Sequence, residues 1–170
     1  MSTKQHIATR RFVLAGAASS AAAAVLAADA AAQAPARGPF TVDGWKAAWA
    51  DPSPARVMAR IPLIAAPDIA GYWPRTTRPV RGPRDYAQRI VDLLTFIPDF
   101  RAELKEYATN GDIMFVRWVA RGTAPNGQRF EAVGADRLLV PNGYVAENLV
   151  LSDHPIFAEF ARHVGDLRTE

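Results

Sequence analysis

The chain has 170 residues, no cysteine, and 20 basic against 17 acidic side chains. The missing cysteine excludes disulfides, thiolate metal sites and a cysteine nucleophile. Three of the basic and one of the acidic residues lie in the first 34, leaving 17 against 16 for the rest; a phosphate-binding face needs clustered excess positive charge, so nucleic acid is not an expected partner.

Residues 1–34 read as an address. Arg10-Arg11-Phe12-Val13-Leu14 resembles the twin-arginine export motif. The alanine-rich stretch from Phe12 to Ala28 is too weakly apolar for a comfortable membrane span. Small-x-small patterns occur at Ala30–Ala32 and Ala32–Ala34, and Pro35 disfavours the second, so cleavage is expected before Gln33. The expectation is export by the twin-arginine machinery and a periplasmic or secreted mature protein. Residues 35–42 form a Pro/Ala/Gly linker, and 43–170 one domain with one core.

Trp45 and Trp49 stand four apart and share a helical face. Ser53 can cap a second helix with Pro54 in its first turn, and Pro62 is expected to end it. Asp68 to Val80 reads as extended or irregular around Ile69-Ala70-Gly71-Tyr72-Trp73. A long helix follows from Pro83 to about Ile97, with Tyr86, Ile90, Leu93, Leu94 and Ile97 on its apolar side. Asn-Gly pairs at 110–111, 126–127 and 142–143 are strong hairpin signals between apolar runs. They predict four antiparallel strands near 101–109, 112–122, 128–140 and 144–152. Asp153 can cap a last helix beginning near Pro155. Helices followed by a meander imply an α+β fold, a curved antiparallel sheet wrapped around helices.

Pro-Asn-Gly at 125–127 and 141–143 suits three-residue loops. Such loops pair Val140 with Tyr144 and set Asp136 opposite Asn148, and Trp118 opposite Gly134. One face of strand 128–140 holds Phe130, Ala132, Gly134, Asp136, Leu138 and Val140, with Asp136 its only charge. A lone carboxylate on an apolar face must be paired, hydrogen-bonded or protonated. Burial would raise its pKa toward that of a usable acid or base. Asp136 is therefore either a general acid/base or a brace held by Asn148 or an arginine. Strand 112–122 is apolar on both faces, and a bulge at Gly134 would turn Arg117 inward instead of Trp118. Two apolar faces also point to a homodimer packed sheet to sheet.

The run Asn110-Gly111-Asp112-Ile113-Met114-Phe115-Val116-Arg117-Trp118, with Arg121-Gly122-Thr123, Gly134-Ala135-Asp136 and Asn142-Gly143-Tyr144-Val145-Ala146-Glu147-Asn148, resembles the C-terminal sheet of SnoaL-like proteins, members of the nuclear transport factor 2-like superfamily. The resemblance implies a cone-shaped roll with a pocket. The last-strand carboxylate of the family's polyketide cyclases falls on Val150, and their histidine on Asp136. The arginine of limonene-epoxide-hydrolase relatives falls near Arg117, and their aspartates near Val119 and Val150. This chain thus lacks the catalytic last-strand carboxylate of both.

Asp136 and Arg117 remain as the catalytic candidates, with Tyr72, Trp73, Phe96, Trp118, Asn148 and Val150 as ligand-binding candidates. No cofactor or metal motif is present: His154 and His163 lack metal-ligand spacing. Ser152-Asp153-His154 contains triad residue types, but adjacency in sequence is not triad geometry. Three functions stay open: a domain binding a small, largely apolar molecule, an isomerase, dehydratase or hydrolase using Asp136, and a dimerisation module without ligand.

Overall fold

A computed structural model describes residues 39–167. The export segment and the first half of the linker expected from the sequence, residues 35–38, lie outside the described residues.

Helix α1 spans Val42–Ala50, with Thr41 as its cap accepting from the Gly44 N–H at 3.1 Å. Helix α2 spans Pro54–Ile64, capped by Ser53. Pro62 does not end it. A proline in the last turn forfeits one backbone bond, and the burial of Ile61 and Ile64 on either side keeps that turn helical.

Strand β1, Ala65–Tyr72, leads directly out of α2, and β2 is the two-residue Val80–Arg81. The stretch read as extended or irregular therefore contains a sheet strand. β1 runs antiparallel to β2 and parallel to the last strand, with an irregularity between Ala65 and Ala70. Helix α3, Pro83–Phe96, buries Tyr86, Ala87, Ile90, Leu93 and Leu94, the stripe expected from its three- and four-residue periodicity.

The meander follows as β3 (Arg101–Asn110), β4 (Ile113–Thr123), β5 (Arg129–Leu139) and β6 (Val145–Leu151). The six strands lie in the order β2-β1-β6-β5-β4-β3 in one curved, unclosed sheet. Ala102, Leu104, Val116, Ala120, Ala132 and Leu138 from the inward face of this sheet share one core with the helices. Helix α4, Pro155–His163, adds Ile156, Phe157 and Phe160. Its cap is His154, not Asp153. Pro155 occupies the first helical position, so the cap is the residue before it, and His154 Nδ1 accepts from the Ile156 N–H at 3.2 Å.

The loop at 125–127 closes as expected: Ala124 N–H donates to Gln128 O, and Gly127 has φ 84°. The register of the last hairpin differs from expectation by two residues. Asp136 faces Val150, and Asn148 faces Leu138. The Val140 N–H donates to Asp112 O of the neighbouring turn, and Pro141–Gly143 forms a 3-10 turn closed by Tyr144 N–H to Pro141 O. Ladder pairing therefore starts only at Leu139 and Glu147. A shift of two keeps every side chain on its expected face, because the strand period is two.

Candidate active site in the hollow of the sheet

Asp136 projects inward from β5 and is 5% exposed. Its partner comes from the neighbouring strand, where Trp118 Nε1–H donates to Asp136 Oδ1 at 3.1 Å. Trp118 can lie there because it faces Gly134: a Cβ on that glycine would sit 2.3 Å from the indole. There is no register shift between β4 and β5, so Trp118 and not Arg117 turns inward.

A second glycine does the same for a second ring. Gly71 on β1 faces Asn148 on β6, and a Cβ on Gly71 would lie 2.4 Å from the Tyr86 ring. The phenol of Tyr86 therefore reaches Asn148, whose Nδ2 donates to Tyr86 Oη at 2.7 Å. Each absent side chain admits one aromatic ring carrying one polar atom to the base of the hollow.

Burial pushes the Asp136 carboxyl up to about 6, against hydrogen bonding from Trp118, Trp45 and Asn148 that favours its charged form. Of these, Trp118 stands at full hydrogen-bonding geometry; the indole N–H of Trp45 has no such partner. Burial, and then the charge of Asp136, hold the Tyr86 phenol above its ordinary range, so it stays neutral. A carboxyl near 6 in an apolar wall can take or give a proton near neutral pH.

A cavity of about 30 Å³ touches this cluster, with room for about two waters at ~10–15 Å³ each. Asp136, Asn148, Tyr86, Trp118, Trp73 and Val150 all reach it. Trp73 Nε1–H and Asn148 Oδ1 are buried without a protein partner. They are available to an oxygen and to a donor on a bound molecule, respectively.

Of the eight residues singled out from the sequence, Asp136, Trp73, Trp118, Asn148 and Val150 meet here. Three do not. Arg117 points to the outer face and pairs with Glu106 at 2.5 Å, its side chain nearly half exposed. Tyr72 faces outward beside Leu149, because consecutive residues leaving a strand point oppositely and Trp73 takes the inward place. Phe96, the last residue of α3, packs on Phe160 and His163 of α4 and not on the cavity. The sequence reading missed Tyr86 and Trp49 as cavity residues. Tyr86 stood in an apolar stripe, but a phenol there must find a polar partner when buried, and that was the available signal.

A curved open sheet closing over helices, with a polar cluster at the base of its hollow, defines a nuclear transport factor 2-like cone. The sequence pattern of the SnoaL-like polyketide cyclases matches residues 41–155, and the chain belongs to that family. Among solved structures it is similar to IdmH of Streptomyces antibioticus, a proposed polyketide cyclase, at 21% identity and TM-score 0.57 over 71% of this chain and 95% of that one. A Catenulispora acidiphila protein of ketosteroid isomerase-like fold, solved with trimethylamine, gives TM-score 0.60 at 15% identity over 71% and 91% of the two chains. TerC, co-crystallised with polyporic acid, gives 0.57 at 15% over 69% and 92%. No curated protein matches the sequence. At these identities the structural likeness speaks for the fold.

Proposed function

We propose that this domain binds a small, largely apolar, oxygen-bearing molecule in the cone. The supporting observation is that Asp136, the one carboxyl among the residues lining the cavity, borders it together with the unpartnered Trp73 N–H. An apolar wall with a few convergent polar groups is the usual make-up of a small-molecule site. IdmH and TerC, with the cyclase proposal and the polyporic acid complex attached to them, are consistent with a carbonyl- or hydroxyl-bearing ligand.

A catalytic second reading draws on the raised pKa of Asp136. As a carboxylate it would take a proton from a carbon next to the ligand's carbonyl and return it elsewhere, while Trp73 N–H stabilises the negative charge arising on the oxygen. Arg117 has no place in this reading, because it lies on the other face of the sheet. Asp136→Asn separates the two. Binding retained with loss of any proton exchange, followed by deuterium incorporation into a bound cyclic ketone, supports catalysis. Unchanged exchange leaves Asp136 as a binding and bracing group.

We further propose export through the twin-arginine route, on the strength of Arg10-Arg11-Phe12. Replacing both arginines by lysine should retain the protein inside the cell, and continued export would refute the route. A homodimer across the outer sheet face is proposed because Phe115, Val133 and Leu151 are each about half exposed there. Sedimentation of Val133→Glu should show monomers; an unchanged sedimentation coefficient would exclude this interface.

A further inference from the structure

The cavity at Asp136 is too small for the molecule proposed above, since ligand pockets commonly measure ~300–1,000 Å³ against its 30 Å³. A much larger space of about 400 Å³ lies next to it, in the groove between α1 and α2. Ile61 and Ile64 of α2, Ala47 and Ala48 of α1 and Ile90 of α3 make its walls mainly apolar, with Asp51, Arg56 and Arg60 as the charged residues of its lining. Trp49 borders both spaces. Its ring meets Trp45 and Phe100 edge-on, at 5.7 and 5.9 Å between centroids, and is only half-buried. It is the residue that the linings of the two spaces share.

We propose that groove and cavity are two halves of one site, joined when Trp49 swings aside. The ligand is a flat, elongated apolar molecule whose oxygen-bearing end reaches Trp73 and Asp136, with its remaining rings lying between α1 and α2. This rests on the cone-binding reading above and adds the outer subsite and the way in.

The alternative way in is the pocket of about 450 Å³ on the other side, which shares Trp73 and Val150 with the cavity. Two observations disfavour it. Both spaces carry charged side chains, Asp51, Arg56 and Arg60 in the groove and Arg75, Arg78 and Asp153 here, but the lining of this pocket is the more polar of the two. Its covering segment is also tied down: Thr76 Oγ1–H donates to Trp73 O, Thr77 is held by Asp166 through backbone and side chain, and Thr76 bridges Leu167. The end of α1 is held differently. Asp51 pairs with Arg56 and Arg101, and all three side chains are 45–68% exposed. Ion pairs so open to water hold little, because solvent screening and side-chain ordering offset most of the attraction. α1 is short and is followed by Pro52-Ser53-Pro54, so the connection to α2 is a natural pivot. Trp49 is half-buried at the edge of the core, whereas Trp73 is a buried member of it.

The test uses 2-hydroxyanthracene, a flat, elongated three-ring probe with its oxygen at one end, titrated against the full-length protein by quenching of tryptophan fluorescence. Ala48→Trp fills the groove from its exposed wall and should weaken binding at least tenfold, with an unchanged circular dichroism spectrum; Ala47→Trp serves if that variant does not fold. Trp49→Ala should raise the association rate constant at least fivefold. If both groove-filling variants bind like wild type while Asp136→Asn still alters the pH dependence of binding, the groove is overturned and the cone reading stands. If wild type itself fails to bind at saturating probe, both fall. An association rate unchanged in Trp49→Ala overturns Trp49 as the way in.

Discussion

Strands β4, β5 and β6 carry two different chemistries on their two faces. Inward, Val116, Trp118, Ala132, Leu138 and Val150 are buried, and the two polar residues among them, Asp136 and Asn148, are nearly sealed from water. Outward, charges come in opposed pairs: Arg117 with Glu106, Arg121 with Glu131 and Arg137 with Glu147, all at 2.5–2.8 Å. Between them stand half-exposed apolar side chains. The outer pairs are ordinary cross-strand neighbours of opposite charge. Among the described residues Asp136 has no ion-pair partner there, so burial is the main influence on its protonation. The same alternation that gives an unremarkable outer surface leaves one carboxyl inside with an abnormal pKa.

The largest effects are expected where the inner face is filled. Gly134→Val would place a Cβ 2.3 Å from the Trp118 ring and 2.5 Å from the Leu151 carbonyl. The ring could rotate, but the carbonyl belongs to the neighbouring strand's backbone. Overfilling a packed core costs ~1–3 kcal/mol, occasionally more, and this backbone conflict puts the variant at the upper end or prevents folding. Val133, the preceding residue, faces out and is half exposed. Val133→Ala should cost less than ~1 kcal/mol. Urea unfolding of the two variants measures the contrast, and equal destabilisation would mean that the two faces have been misassigned.

The next effect depends on pH. Asp136 binds a proton more tightly in the native state, about 6, than at its ordinary value of 3.8. Between those values the native protein holds more protons than the unfolded chain, so stability falls as pH rises through about 4 to 6 and then levels off. A difference of about two pH units corresponds to ~3 kcal/mol. Asp136→Asn keeps an oxygen for the Trp118 N–H but cannot ionise. Relative to wild type it should gain up to ~3 kcal/mol between pH 4 and pH 7.5. A relative stability that is flat across that range would show that the carboxyl titrates normally.

The inner face was largely legible in the sequence because a period of two needs only the strands and their turns. Gly127 in its left-handed turn placed Trp118 over Gly134, and the last hairpin kept its faces through a two-residue slip. What could not be read was set by contacts between distant segments. β1 pairs in parallel with β6 across more than seventy residues of chain, and Pro67-Asp68 masks its apolar run. Tyr86 enters the site only because Gly71 on that strand leaves room for its ring. The Pro141–Gly143 turn took its shape from a bond between Val140 and Asp112, two turns meeting at one end of the sheet. Phe96 and Tyr72 failed for a related reason: an aromatic at a helix end or strand end is apolar in sequence whichever way the neighbouring elements let it face.

Arg117 provides the smallest and most discriminating expectation. The resemblance to epoxide hydrolases draws attention to it as a catalytic cation, whereas its place in the sheet makes it half of a surface pair. Its side chain is nearly half exposed, and Glu106 more so. Exposed ion pairs contribute ~0.2–1 kcal/mol and weaken in salt. Arg117→Ala should therefore lower stability by less than ~1 kcal/mol, and the loss should shrink when urea unfolding is repeated in high salt. Probe binding in the cone should not change, because the strand backbone lies between the guanidinium and the cavity. The matching inner-face change, Trp118→Ala, removes a buried ring and, among the described residues, the one hydrogen-bond donor at full geometry to Asp136. One residue along the same strand separates a site group from a surface group, and a tenfold loss of binding in Arg117→Ala would reverse that assignment.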